Sequence, residues 1–385
     1  MKSFLSTIAI AMPIFLGAQS AFHNLGNIKL HDGANIGFHT DFINDGSLDN
    51  NNSGLAGFYS DNEIRSISGN NEAIFKDVEI DAVNDVELYT SLGVTNDMNF
   101  VNGKIYTPRN NVNTSLDFIN YNLYAGEDNS RHVDGYSSVI GVDNFIFPIG
   151  DDNRIRPMIL TTQNINNKYS GAYYFNNPNT PPTHFTEVFS TTQKQAFIDN
   201  ISILEFWDLD GANETKITLT WDNNSNVGTI NSDIKLLTVV GWSASEGKWI
   251  DLGNSAVNGD INKGQVTSNT FIPDNYTIIT IGSHFSEDQL TDVNLIFTPN
   301  GDSTNETLVF EGLERYKNNS LSIFNRWGNT VYETTNYKND WKGKSIGRAT
   351  INKENDLPVG TYFYTLALDN GESVKNQKGW IYIYR

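Results

Sequence analysis

From Phe22 to about Leu160 the chain runs in short stretches of alternating apolar and polar residues, among them GNIKLHDGANIGFHTDFINDGSL, GLAGFYS, IRSISG, AIFKDVEIDAVNDVELYTSLGVTND and FVNGKIYTP. Alternation over about four to eight positions predicts half-buried strands, and the Asn-Asp-Gly and Asn-Gly breaks predict turns. No 3.6-residue period persists long enough to predict a helix of normal length. The triplets N-D-G and V-N-G and the run V-N-D-V recur at loosely similar spacing, which favours strands stacked as coils of a parallel β-solenoid. Antiparallel hairpins in a sandwich are the alternative. The expectation for residues 19–160 is therefore a β-rich, solenoid-like domain.

The pattern then changes. VDGYSSVIGVDNFIFPIGDDNRIRPMIL, from Val133 to Leu160, closes the first region, and NNPNTPPTHF follows, whose Pro178, Pro181 and Pro182 predict an exposed loop. A boundary is expected between about 155 and 185. Beyond it ISILEFWDLDG, TKITLTWD, IKLLTVVGW, KWIDLG, GQVTSNTF and YTIITIGS read as short strands rich in Ile, Thr, Val and Trp. That spacing predicts an Ig-like β-sandwich over 161–286. Trp207, Trp221, Trp242 and Trp249 are expected in its core or rim, with a ligand platform as the alternative.

The last region, 287–385, reads as a small β-sandwich. LSIFNRWGNTVYE predicts a strand from Leu321 to Arg326, a two-residue turn at Gly328-Asn329 and a return through Val331 and Tyr332, with Trp327 covering the hairpin end. GTYFYTLALDNGESV predicts a second hairpin turning at Asn370-Gly371. In GWIYIYR, Trp380, Tyr382 and Tyr384 alternate with Ile381 and Ile383, as in a strand buried on one side. The fold class is all-β and multidomain.

Composition narrows the compartment and the partners. MKSFLSTIAIAMPIFLGAQS has one Lys, an apolar run from Phe4 to Leu16 and small residues after it, which predicts a secretory signal peptide over 1–18. The run is too short to span a bilayer, and no other of that length follows, so no transmembrane segment is expected in the mature chain. The chain has no Cys, which excludes disulfides, thiolate zinc sites and cysteine nucleophiles. The formal net charge is −19, yet eleven Lys and Arg balance eleven Asp and Glu from Leu290 to Arg385, so the acidity belongs to the residues before them. An acidic body repels phosphate backbones and anionic lipids, and nucleic acid is not an expected partner.

Catalytic motifs are absent: there is no G-x-S-x-G elbow and no H-E-x-x-H helix. His23, His31 and His39 recur every eight residues, more in keeping with turn histidines than with a metal site. Asn300, Asp302, Thr304 and Glu306 alternate in PNGDSTNET, and Asp208, Asp210, Asn213 and Glu214 cluster in DLDGANE. Hard oxygen donors of this kind suit Ca²⁺, and calcium is the one cofactor considered, with Asx turns as the alternative. Acidic residues are too numerous to nominate a glycosidase pair. The expectation is that the chain is not an enzyme.

LIFTPNGDSTNETL, LSIFNRWGNTVYE, NDWKGK, LPVGTYFYTLALDNG and KGWIYIYR, in this order, resemble the gliding-motility-associated C-terminal domain of Bacteroidetes surface proteins. The resemblance covers about residues 290 to 385. It rests on Asn325, Arg326, Trp327 and Gly328, on Trp341 and Gly343, on Pro358, Gly360 and Tyr362, and on Gly379. Ser303 and Glu306 stand where that family usually has Gly and Asp. The resemblance implies a type B sorting signal for the type IX secretion system, with the secretion machinery and a porin-like outer-membrane barrel of the SprF and PorP kind as partners. On that basis the chain is expected to be secreted, associated with the outer membrane at the cell surface, and structural or adhesin-like, an accessory of gliding motility or surface attachment. The alternative is a calcium-assisted carbohydrate-binding module that uses the middle region's Trp and Tyr on a glycan ligand.

Overall fold

The computed structural model describes residues 21–49, 52–285, 295–316, 318–345, 356–369 and 374–385. The expected signal peptide over 1–18 and the Asn370-Gly371 turn lie outside the described residues. The chain separates into two compact units, one of residues 1–158 and 162–173, the other of 159–161 and 174–385.

Most of the described part of the first unit is a parallel β-solenoid, whose last strands pair antiparallel with Arg154–Ile155 and with Tyr169–Tyr174. One ladder stacks Ala21–Asn24, Asp41–Asn44, Arg65–Ser68, Val86–Leu88, Ile105–Tyr106, Val133–Asp134 and Ile149–Asp151, all parallel. A second stacks Ala73–Phe75, Leu92–Val94, Leu116–Ile119 and Ser137–Ile140. A third stacks Asn35–Phe38, Leu55–Ser60, Asp77–Ala82, Asp97–Asn102 and Leu123–Ala125. Register partners run Ala21↔Asp41, Phe42↔Ile67, Val86↔Ile105 and Ile105↔Val133, so successive coils differ in length. The difference is absorbed in the turns, which is why the sequence repeats only loosely.

The recurring turn motifs have a specific place. Asp85 of VNDV and Gly103 of VNG occupy the same corner of neighbouring coils, both with positive φ, 76° and 82°. Asp85 Oδ1 accepts from the Lys104 backbone N–H at 2.7 Å, and a Cβ on Gly103 would lie 1.9 Å from the Ala82 carbonyl oxygen. The corner therefore requires a residue that tolerates the left-handed region, and at the second coil one without a side chain. Buried asparagines do related work at another corner: Asn24 Nδ2 donates to Asn44 Oδ1 at 2.8 Å, and Asn44 Nδ2 donates to the carbonyls of Asn71 and Glu72. These bonds satisfy backbone groups that the ladders leave over.

Inside the coils the filling is aromatic. Phe38 stacks on Phe58 with centroids 5.1 Å apart, and Phe42 and Phe75 pack against both. All four side chains are buried. A partly buried cation fastens the later coils. The Arg109 guanidinium donates to Asp134 Oδ1 at 2.7 Å and to the carbonyls of Gly150 at 3.0 Å and Tyr173 at 2.6 Å, and it lies 3.2 Å from Asp151 Oδ1.

A carboxyl pair spans three neighbouring coils. Gly93 pairs with Asp117 in the ladder, and the Glu72 carboxyl reaches across Gly93, where a Cβ would stand 3.0 Å from Glu72 Oε1. Asp117 accepts from Ser115, from Ser138 Oγ at 2.6 Å and from Lys168 Nζ at 2.7 Å. Burial, then the charge of Asp117, push Glu72 up to about 7, against the opposing pull of Lys168. A carboxyl whose pKa is raised by folding binds its proton more tightly in the native state. Stability is therefore fully present below the unfolded value near 4.5 and falls as pH rises towards 7. Glu72→Gln is expected to raise the melting temperature at pH 8 and to leave it nearly unchanged at pH 5. Equal shifts at both pH values would remove this account of the pair.

The middle part of the second unit has two antiparallel sheets. Leu237–Ser243 pairs with both Lys248–Gly253 and Ile279–His284, and Ile198–Ile201 and Phe206–Asp210 also pair with Ile279–His284. Gly264–Thr267 lies between Thr215–Trp221 and Ala256–Gly259 in the other. Trp207, Trp221, Trp242 and Trp249 are all buried. The indole N–H of Trp221 donates to the Asp260 carbonyl and that of Trp242 to Glu187 Oε2, both within 2.9 Å. The alternative in which these rings form an open sugar platform thus loses its tryptophans: folding has turned them inward, where the N–H groups of Trp221 and Trp242 find partners. The loop from Asn176 to Phe185 also differs from expectation. It is irregular but anchored, with Pro178 buried and the Phe185 ring packed against Tyr174, Phe189 and Phe206.

The C-terminal region has one five-stranded sheet in the order Ile296–Phe297, Val374–Ile383, Gly360–Asp369, Asn318–Phe324, Thr330–Thr335. The first pair is parallel and the others antiparallel. Leu321, Ile323, Leu366, Leu368, Ile381 and Ile383 point to one face and are fully buried. Among the described residues that face is covered by irregular segments carrying Leu308, Phe310, Tyr337, Trp341 and Leu357 rather than by a second sheet. No helix among the described residues is long and apolar enough to cross a membrane.

Candidate functional site: the C-terminal domain

Each sequence motif of the last region has a distinct place in this sheet. The connection between Asn318–Phe324 and Thr330–Thr335 runs from Asn325 to Asn329, longer than the two-residue turn expected. Asn325 organises it: its Oδ1 accepts from the backbone N–H groups of Trp327 and Asn329, both at 3.0 Å, and its carbonyl accepts from Gly328. Gly328 has φ 79°. Trp327 does not cover the hairpin. It is 71% exposed at the loop apex, with the Arg326 guanidinium 4.3 Å from its ring centroid. An Asn side chain that closes the loop through two N–H bonds makes a hydrophobic cover unnecessary there.

Trp341 takes the opposite role. It is buried against Phe297 and Tyr332 at centroid distances of 5.5 and 5.3 Å, and its indole N–H donates to the Lys344 carbonyl. Gly343, φ 71°, presents its carbonyl to the Leu357 N–H and to the Arg385 guanidinium. Arg385 also bonds the Leu357 carbonyl and lies 3.4 Å from Asp356. The Pro358 carbonyl accepts from the buried Tyr362 hydroxyl at 2.9 Å. Gly360 opens the strand opposite Ile383, and Gly379 pairs with Tyr364. A Cβ on Gly379 would come within 2.7 Å of the Tyr364 ring, so the glycine makes room for that ring in the core.

Two residues that motif reading passed over hold these parts together. The Tyr337 hydroxyl donates to the Leu308 carbonyl at 2.5 Å and accepts from the Trp341 N–H, while its backbone N–H donates to Asn319 Oδ1. Arg385 closes the far side through the carbonyls just named. Neither has a local signal, because their partners lie far along the chain.

In the loop from Asn300 to Glu306 the side-chain oxygens serve the loop's own backbone. Asn300 Oδ1 accepts from the Asp302 N–H, Asp302 Oδ1 from the Thr304 N–H and Glu306 Oε1 from the Ser303 N–H. Asn300 Nδ2 donates to Asp302 Oδ2 at 3.0 Å. These are Asx turns, with donors directed along the chain rather than to a common centre. Ser303, at φ 71°, holds the left-handed conformation that glycine adopts at least cost. In the second acidic loop, Asp208 and Asp210 line an open cleft of ≈ 700 Å³ with Glu246 and Asp274. Burial, then the charge of Asp274, push Asp210 up to about 6. Asn213 and Glu214 do not line it. His23 pairs with Asp45 and His39 stacks on Tyr59. Among the described residues no three His, Asp or Glu side chains form a set able to hold a metal ion.

The outward face of the C-terminal sheet is apolar along one line. Phe324, Phe363 and Trp380 are register partners on three adjacent strands. Phe363 and Trp380 are almost half exposed, and Ile296 and Tyr384 are exposed on the same sheet. Aromatic side chains are thus partly exposed in a row across three strands of this sheet.

Residues 291–383 match the CHU_C type IX secretion signal domain. The chain thus carries a C-terminal sorting domain for type IX secretion and is exported by that system as a secreted or surface protein. No curated protein and no solved structure matches the chain.

Proposed function

We propose that the chain is a structural, adhesin-like protein of the cell surface, without catalytic activity, that serves surface attachment or gliding and is held at the outer membrane by its C-terminal domain. The observation that carries this reading is the pairing of a sorting domain at residues 291–383 with an upstream passenger whose first unit is a parallel solenoid. Such a stack offers long side-chain rows on its faces and keeps its core closed, which suits binding and spanning better than it suits a catalytic pocket. The aromatic row of Phe324, Phe363 and Trp380 is the surface we assign to docking on the secretion machinery and then on a porin-like outer-membrane barrel.

Cells that lack the protein are expected to attach poorly to a surface and to spread less as colonies. The full chain restores both, whereas a chain ending before Leu290 restores neither. Normal attachment and spreading without the protein would rule the proposal out.

A further inference from the structure

On the outward side of the third solenoid ladder the sequence places glycine at two successive coils, Gly37 and Gly57, which are register partners. The Tyr59 ring lies down over both. A Cβ on Gly57 would come within 2.1 Å of the Tyr59 hydroxyl oxygen and 2.2 Å of its ring, and one on Gly37 would lie 3.1 Å from the ring edge. Any other residue at Gly57 would lift this ring off the sheet. The His39 imidazole stacks with it, centroids 5.2 Å apart and planes inclined by 28°, and His39 is exposed.

The next coils supply polar groups held in fixed directions. Glu79 Oε1 accepts from the Tyr59 hydroxyl at 3.0 Å and Oε2 from Asn99 Nδ2 at 2.9 Å, while Asp81 Oδ1 accepts from Asn102 Nδ2 at 2.8 Å. Beside the two rings opens a cleft of ≈ 450 Å³, lined also by Asp61, Glu63, Arg65 and Asp81. Arg65 pairs with Glu63 at 3.0 Å.

We infer that this shelf is a binding site for a neutral saccharide, with a pyranose ring lying on Tyr59 and His39 and its hydroxyls bonded to Asp81 and Asp61, which line the same cleft. The negative face of an aromatic ring attracts the slightly positive C–H groups on the flat side of a sugar. Carboxylates that are already oriented accept hydroxyl protons without further ordering, which lowers the cost of binding. The charge selects the sugar class. Asp61, Glu63 and Asp81 outnumber Arg65 in the cleft, so uronic acids and sulfated sugars are repelled.

The inference extends the adhesive reading by naming a ligand class, and its test needs only purified protein, so it stands or falls apart from export and attachment. The full mature chain is titrated against neutral hexose and N-acetylhexosamine oligosaccharides and against uronic-acid and sulfated ones. Binding to members of the neutral set is expected. Tyr59→Ala should weaken it at least about tenfold, as loss of a stacking ring does at other aromatic binding sites. Tyr59→Phe, which keeps the ring and gives up only the bond to Glu79, should weaken it less, and His39→Ala should fall between them. Circular dichroism and melting temperature identify variants that remain folded. Failure to bind any neutral sugar, preference for the acidic set, or unchanged binding by folded Tyr59→Ala would each overturn the assignment.

Discussion

A chain ending before Leu290 is expected to enter the periplasm and remain there, protected from protease added outside intact cells, while the full chain is digested at the surface. The expectation is all-or-none because the C-terminal domain has its own core: sixteen buried side chains from Phe297 to Ile383 pack on one face of its sheet. Removing the domain whole takes that core away with the strands that form it and leaves the upstream ladders intact. A chain cut at Gly360 is different, since it loses the two strands at the centre of the pairing, Gly360–Asp369 and Val374–Ile383, and strands Leu321, Ile323 and Trp341 in water. It should be degraded rather than retained. Equal surface digestion of the full chain and the chain ending before Leu290 would mean that export does not depend on this domain.

Arg109→Ala is expected to destabilise the solenoid by about 2–4 kcal/mol, towards the cost of removing one partner of a buried ion pair, since Asp134 is buried and Arg109 partly so. The loss arises less from missing attraction than from what remains. Asp134, 6% exposed, loses the guanidinium from which its Oδ1 accepts, and the carbonyls of Gly150 and Tyr173 lose their shared donor. Asp134 retains one bond through Oδ2, from the Asp152 N–H at 2.8 Å, which is not enough to replace a cation. Arg109→Lys should recover only part of the stability, because an ammonium cannot reach a carboxylate and two carbonyls in the plane a guanidinium spans. Denaturant unfolding followed by circular dichroism measures both variants. A loss below about 1 kcal/mol for Arg109→Ala would place the pair with weak surface bridges instead.

The strands themselves were legible in the alternation of apolar and polar residues, and the stacking of VNDV and VNG at one corner accounts for the recurrence noticed in the sequence. Choosing a solenoid over a sandwich was harder, because the turns absorb unequal coil lengths and so blur the period. Arg109 gives no local signal: it sits in TPRNN, an ordinary turn by composition, and its partners come from three later segments. Two of the tryptophans near glycine in the last domain make the same point. Trp327-Gly328 and Trp341-Lys342-Gly343 look alike locally, yet the first is at a loop apex in solvent and the second lies under the sheet. Only the path of the chain after Thr335, which folds back across the apolar face, separates them. The loop from Asn300 to Glu306 illustrates the reverse case, in which side-chain oxygens of a donor-rich sequence accept from the loop's own backbone.

Every ladder bond in the solenoid joins one coil to the next, so a force that draws on the first coil loads its bonds to the second before any others. With no disulfide to lock the coils, they part in order, and each one freed lets out about 20 residues, roughly 70 Å of extended chain. A surface protein of this construction lengthens under load in steps and keeps its grip while the remaining coils stay folded.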